Sequence, residues 1–292
     1  VVYDVHENFA AVSFARRWVP RLLRRPLSCL VEIAERGMAA QLNGVVGVVD
    51  EQRTRFPHCP FAAVHNYPRL EWFAPRRRQR SRSAAVDDEA ELIHVGSLSH
   101  ERGAHFLLEV MRALRQTHPT VRLNALGVFH TRADEIAFEN TVQEFGLHNC
   151  VSWRTARVPY DELGSYVARH RIGLIPGQVS AKNLTPFVPT KLFEYLACGI
   201  PVVASALPSI VRLRALGEWG IIVDPADPAA HAAAIAGLLD DPQEAERLGG
   251  CGRALVESAC NWESEALKLL GLYGELLDGQ VAVNGTIAEA AS

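Results

Sequence analysis

Residues 188–205, VPTKLFEYLACGIPVVAS, constrain the fold of this chain more than any other stretch, because one run supplies a helix start, an amphipathic helix, its stop and a buried strand. Leu192, Phe193, Leu196 and Ala197 recur at helical spacing. Pro189 suits the first helical position, Thr190 is placed to cap nearby amides, and Gly199 closes the helix. PVVAS has the length and apolar continuity of a parallel strand covered on both faces. A helix opening beside such a strand is predicted to be an anion site, since its free amides and its dipole favour negative charge.

The rest of the chain repeats this alternation. Residues 92–114, LIHVGSLSHERGAHFLLEVMRAL, pass from an apolar strand through a glycine-containing loop into a helix with Phe106, Leu107, Val110, Met111 and Leu114 on one face. Strands are predicted at 121–126, 150–153 and 172–176 and helices at 132–146 and 159–169, with further elements near 207–216, 220–223 and 227–240. Such repeated βα units predict a doubly wound parallel sheet. Toward the N-terminus the chain opens in a strand, VVYDV, followed by a helix at about 27–42 and strands at 44–49 and 61–65. Asp224 and Asp227 read as caps or turn formers, and Cys198, Trp262 and Tyr273 as packing residues.

A length of 292 residues supports about two domains. No apolar run approaches the ~20 residues needed to cross a bilayer. Six cysteines without a CxxC pairing point to reduced thiols, hence to a cytoplasmic protein. Charge is unevenly placed: residues 16–25 and 76–82 each carry five arginines and no acidic residue. The first, ARRWVPRLLRR, adds Trp18, Leu22 and Leu23, and two readings stand: a peripheral contact with the inner face of an anionic membrane, or a solvated or partner-facing surface. No aromatic stacking platform accompanies the charge, so nucleic acid is not an expected partner. PRRRQRSRS reads as an interdomain linker.

The 188–205 stretch resembles the C-terminal signature of the retaining, family 4-like GT-B glycosyltransferases of group 1, in which a helix ending in A-x-G-x-P-V-V-A binds a sugar nucleotide. That family usually carries two glutamates; the second matches Glu194, which the resemblance assigns to the donor ribose hydroxyls, and the position of the first is Pro186. In the family loop G-R-L followed by K-G, both basic groups contact the donor pyrophosphate. Here Gly96 opens the loop, Ser97 stands at the first basic position and Arg102 at the second. Lys191 is expected to fill the vacancy, with Thr190 and the helix N-terminus beside it. PYDELGSYVARHRIGLIP resembles the segment leading to the donor site, which makes 177–182 the loop beneath the sugar. VVYDVHENF resembles the N-domain segment V-V-Y-D-x-H-E, whose histidine lies near the transferred sugar; His6 is the candidate for contact with the donor sugar or acceptor hydroxyl, with Asp4 and Glu7 weaker.

The resemblance implies two Rossmann-like domains: a partial N-terminal, acceptor-side domain with its basic linker over 1–85, a sugar-nucleotide-binding domain with terminal helix over 86–278, and a loose tail over 279–292. The first portion is shorter than the ~100–150 residues typical of a domain, so its first strands are expected to be missing. The implied activity is transfer of a hexosyl unit from a nucleoside-diphosphate sugar to an acceptor hydroxyl, with retention at the anomeric carbon. His6, Arg102 and Lys191 are the catalytic candidates; Gly96, Ser97, Arg102, Thr190, Lys191 and Glu194 form the donor-binding set. No metal and no cofactor beyond the donor substrate are expected, and the acceptor is a sugar, a lipid-linked or a small molecule. Two rivals stand beside this reading: a non-catalytic nucleotide-binding GT-B unit and a nucleotide-sugar epimerase.

Overall fold

The computed structural model describes residues 1–15, 19–73, 91–155, 158–180, 183–184 and 187–290. The expected linker at 76–82, Pro186, Lys182 and the stretch 16–18 of the first basic segment lie outside the described residues. From the N-terminus the elements are β1 (Val2–Val5), α1 (Phe9–Ala15), α2 (Arg21–Ala39), β2 (Gly44–Gly47), β3 (Phe61–Ala63), β4 (Glu91–Val95), α3 (Ala104–Leu114), β5 (Arg122–Leu126), α4 (Arg132–Glu144) and β6 (Val151–Arg154). They continue with α5 (Tyr160–Val167), β7 (Ile172–Ile175), α6 (Thr190–Ala197), β8 (Val202–Ser205), α7 (Pro208–Leu213), β9 (Gly220–Val223), α8 (Pro228–Asp240), α9 (Pro242–Ser258) and α10 (Trp262–Ala290). A one-turn helix spans Leu70–Trp72.

The chain divides into two compact units, Val1–Asn66 together with Trp262–Ser292, and Tyr67–Asn261. In the first, β1, β2 and β3 form a parallel sheet in that order, with Val2 opposite Gly44 and Val45 opposite Phe61. Successive strand residues point to opposite faces. Val45 accordingly packs with Val5, Ala39, Phe56 and Phe61, while its neighbour Val46 packs with Val64 and Leu272. Glu265, at the start of α10, is fully buried and accepts the His65 backbone N–H at 2.8 Å.

Three expected assignments are corrected here. The terminal helix belongs with the first unit rather than, as expected, with residues 86–261, because Leu272, Leu276 and Trp262 join the apolar cluster around Val46 and Val64. It also continues to Ala290 where a loose tail was expected. No proline interrupts it, and extending a formed helix costs far less than nucleating one. Tyr273, expected to pack, is exposed. Segment 67–73, placed by sequence in the first domain, belongs to the second unit: Phe73 is fully buried there and Tyr67 packs against Phe193, ring centroids 4.5 Å apart and the planes tilted by 59°.

The second unit is built on a six-stranded parallel sheet in the order β6-β5-β4-β7-β8-β9. β4 starts at the centre, the chain steps outward through β5 and β6, then returns to the other side of β4 as β7, so strand order reverses between β4 and β7. Adjacent residues of β4 serve opposite layers: Leu92 packs with Met111, Leu123 and Ile235, Ile93 with Phe193, Val202 and Trp219. Burying each of these side chains contributes roughly 1.5–3 kcal/mol. Asp227 caps α8 by accepting the Ala230 N–H at 2.9 Å, as its spacing predicts. A doubly wound sheet of this order places its ligand crevice at the carboxyl ends of the strands flanking the reversal.

Candidate functional site

Two glycines shape that crevice. Gly96 leaves β4 at φ +122° and Gly103 leads into α3 at φ +82°, backbone values that side-chain-bearing residues rarely adopt. A Cβ on Gly103 would lie 2.0 Å from the Pro176 carbonyl oxygen, so the 96–103 loop presses directly on the exit of β7. A Cβ on Gly96 would meet Lys191 Nζ at 2.8 Å, which places the ammonium against the first residue of the loop. From the β7 side, Asn183 Nδ2 donates to the carbonyls of Glu101 and Gln178, both at 2.8 Å, and the Gln178 N–H donates to Glu101 O at 3.0 Å. These bonds hold the residue that precedes Arg102, whose own N–H donates to Ser99 O at 3.1 Å.

α6 supplies the charge. Lys191 and Glu194 stand three residues apart and therefore on one face. Desolvation, reinforced by the positive charge of Arg102 and opposed by Glu194, lowers the Lys191 pKa to about 7. Burial raises Glu194 to about 7, against a hydrogen bond from Tyr160 and the charge of Lys191. The two groups titrate as a pair around neutrality. Tyr195, the next residue, is fully buried and accepts the Val95 N–H on its phenol oxygen at 2.8 Å, tying α6 to the end of β4.

Gly96, Arg102, Lys191 and Glu194 are thus brought together at the reversal point, with Ser97 directly following Gly96. Ser97 Oγ lies 2.9 Å from His130 Nε2. Thr190 departs from expectation: Pro189 takes the cap position and Thr190 the first helical position, where it is exposed and makes no side-chain cap bond. A cap must stand one residue earlier for its oxygen to reach the first-turn amides. His6 belongs to the first unit, where its exposed ring places Nε2 3.1 Å from Asp4 Oδ2. Cys198 is a packing residue, its thiol pushed up to about 12 by burial.

Sequence reasoning passed over Tyr160, His130 and His94. His94 is fully buried in β4; its Nδ1 donates to Leu174 O at 3.2 Å and its Nε2 has no partner. Desolvation, then the charge of Lys191, holds its pKa well below the usual histidine range, so the ring is neutral and Nε2 is an acceptor. A lone histidine within the apolar strand ELIHV was the available signal.

A family model described as "Glycosyl transferases group 1" matches residues 75–254. A glycogen synthase from Mycobacterium tuberculosis (strain H37Rv) is 28% identical over 191 residues, 63% of this chain and 42% of that protein. A D-inositol 3-phosphate glycosyltransferase from Thermomonospora curvata is 36% identical over 187 residues, 64% of this chain and 41% of that protein. The chain spans less than half the length of these curated relatives. Among solved structures, Anabaena Alr3699/HepE in complex with UDP and glucose superimposes with a TM-score of 0.69 at 15% identity, covering 94% of this chain and 71% of that one. The architecture is that of the GT-B enzymes.

Proposed function

The chain belongs to the group 1 glycosyl transferase family, and from that premise we propose that it moves a hexosyl unit from a nucleoside-diphosphate sugar to an acceptor hydroxyl with retention of configuration. The observation that carries this reading is the convergence of Arg102, Lys191 and Glu194 on the glycine loop at the point of strand reversal. Glu194 accepts the ribose hydroxyls. Arg102 and Lys191 bind the diphosphate and stabilise the charge it gains as the bond from the anomeric carbon to phosphate oxygen breaks and that oxygen leaves with the electron pair. The acceptor oxygen bonds to the same face of the anomeric carbon and passes its proton to the departing phosphate; His6 contacts the donor sugar or the acceptor. HepE, in complex with UDP and glucose, supports UDP as the first nucleotide to try. No cofactor is invoked.

Calorimetric titration with UDP, GDP and dTDP is expected to show saturable binding of one of them. Incubation with the matching sugar nucleotide and candidate acceptors is then expected to release free nucleoside diphosphate together with a new glycoside, more slowly in Arg102→Ala. An isomerised donor would point instead to epimerase chemistry. Binding without any product would favour a non-catalytic unit, the reading that Ser97 in place of a basic residue supports. A folded protein that binds none of the three defeats the assignment of the site.

The exposed side of α2 supports an anionic membrane surface as a further partner. Leu22, Leu30 and Ile33 are 91%, 63% and 69% exposed, and the exposed guanidinium groups of Arg21 and Arg25 accompany them. Apolar side chains bordered by arginines match a bilayer with anionic headgroups. Among the described residues no helix is long and apolar enough to cross a membrane. Co-sedimentation with vesicles containing anionic lipid, and not with neutral ones, is the expected result. Leu30→Ser with Ile33→Ser should abolish it; equal partitioning into both vesicle types, or into neither, would refute the contact.

A further inference from the structure

We infer that His130 is a further diphosphate-binding residue of the donor site, acting as a pair with Ser97. This rests on the reading of the crevice as a nucleoside-diphosphate site. Ser97 follows the turn at Gly96 on leaving β4, and His130 follows Gly127 on leaving β5, the neighbouring parallel strand. The register sets Val95 opposite Leu126, and two bonds carry the pairing past the strand ends: the Gly96 N–H donates to Leu126 O at 2.8 Å and the Leu98 N–H to Val128 O at 2.9 Å. A Cβ on Gly127 would lie 1.6 Å from Gly96 O, so glycine is required for the two exits to close this far. Their closure brings Ser97 Oγ to 2.9 Å from His130 Nε2.

The pair has a donor to spare. With the ring proton on Nε2, the imidazole donates to Ser97 Oγ and the serine O–H is free; with it on Nδ1, the serine donates to Nε2 and the Nδ1–H is free. Among the described residues Ser97 is the ring's only hydrogen-bond partner. The ring is exposed, and Ser97 adjoins Gly96, against which the Lys191 ammonium lies. A free donor beside a cation, at the carboxyl ends of parallel strands, is complementary to an anion. The carboxylates that follow His130 are already engaged: Asp134 accepts from the Thr131 hydroxyl at 2.8 Å and Glu135 pairs with Arg132. Among the described residues no carboxylate orients the ring as in a Ser-His-Asp triad, so the pair serves binding rather than nucleophilic attack.

His130→Phe removes both nitrogens from an exposed position and keeps a ring there, whereas His130→Gln keeps an amide able to bond Ser97. The 292-residue chain is titrated with whichever of UDP, GDP and dTDP it binds, and inorganic pyrophosphate and the parent nucleoside are each made to compete with that nucleotide. In His130→Phe the affinities for nucleotide and for pyrophosphate are expected to fall about tenfold, while that for the nucleoside stays within about twofold and the melting temperature is unchanged. His130→Gln should recover most of the loss. Ser97→Ala should lose a similar factor, and adding it to His130→Phe should change little, because the two side chains act as one unit. A loss shared by nucleotide and nucleoside but not by pyrophosphate would move His130 to the nucleoside and overturn the assignment. Unchanged affinities would dismiss the contact and leave the donor site standing; losses that multiply in the double variant would overturn the pairing. A wild type that binds none of the three nucleotides defeats the donor site itself, and this contact with it.

Discussion

Lys191→Met is expected to weaken binding of the cognate nucleoside diphosphate by about 10- to 100-fold, the loss of roughly 1.5–3 kcal/mol that a charge-assisted contact to phosphate supplies. Thermal stability should hold or improve. A lysine whose pKa is lowered from 10.5 to about 7 binds fewer protons folded than unfolded between those values, so its contribution to stability rises as pH increases through that window. At neutral pH and below, keeping it charged in a desolvated position costs stability, and methionine of similar length removes that cost. Melting curves over the alkaline range check this: the wild type should gain stability between about pH 7 and 10.5, and the variant should lose that slope. The same titration governs the ligand. Lys191 must be protonated to meet the diphosphate, so wild-type affinity should fall as pH rises above about 7, and this alkaline limb should vanish in Lys191→Met. An unchanged affinity and pH profile would place the diphosphate elsewhere.

Glu194→Gln is expected to produce the complementary defect. The amide keeps the volume but cannot accept two ribose hydroxyls on charged oxygens, so affinity should drop by about 10- to 100-fold. Glu194 is raised from 4.5 to about 7, so the wild-type site loses its anion as pH falls toward and below neutrality, and UDP affinity should decline on that side. Glutamine does not titrate, and the acidic limb should disappear. Together the two limbs make wild-type affinity greatest near neutrality, where one proton is shared between an ammonium that needs it and a carboxylate that must lack it. The fold-side linkage has the opposite sign to that of lysine. Between pH 4.5 and about 7 the folded carboxyl holds a proton that the unfolded one has lost, so stability falls with rising pH across that window, and less so in Glu194→Gln. A variant that keeps both its affinity and the acidic limb would remove Glu194 from the site.

Much of this was legible locally. The alternation of short apolar runs with 3.6-residue periodicity foretold the six strands of the larger unit, and Gly199, at φ +68°, ends α6 where the sequence says it should. Arg102, Lys191 and Glu194 were marked by their places in two motifs, each contained within some twenty residues. Such signals survive because helix periodicity, capping and glycine geometry act over only a few residues.

Tertiary structure decided what depends on distant pairs. The approach of Gly103 to Pro176 and the support of Val95 by Tyr195 join residues 73 and 100 positions apart. Neither partner carries a mark that names the other. The desolvation that lowers the Lys191 pKa and raises that of Glu194 exists only after the sheet and α6 have closed around them. The allegiance of α10 likewise turned on where Leu272 and Leu276 found apolar neighbours, beside Val46 and Val64. Sequence determined the elements and the residue types at the crevice; packing determined which charges are buried together, and burial gives those charges their chemistry.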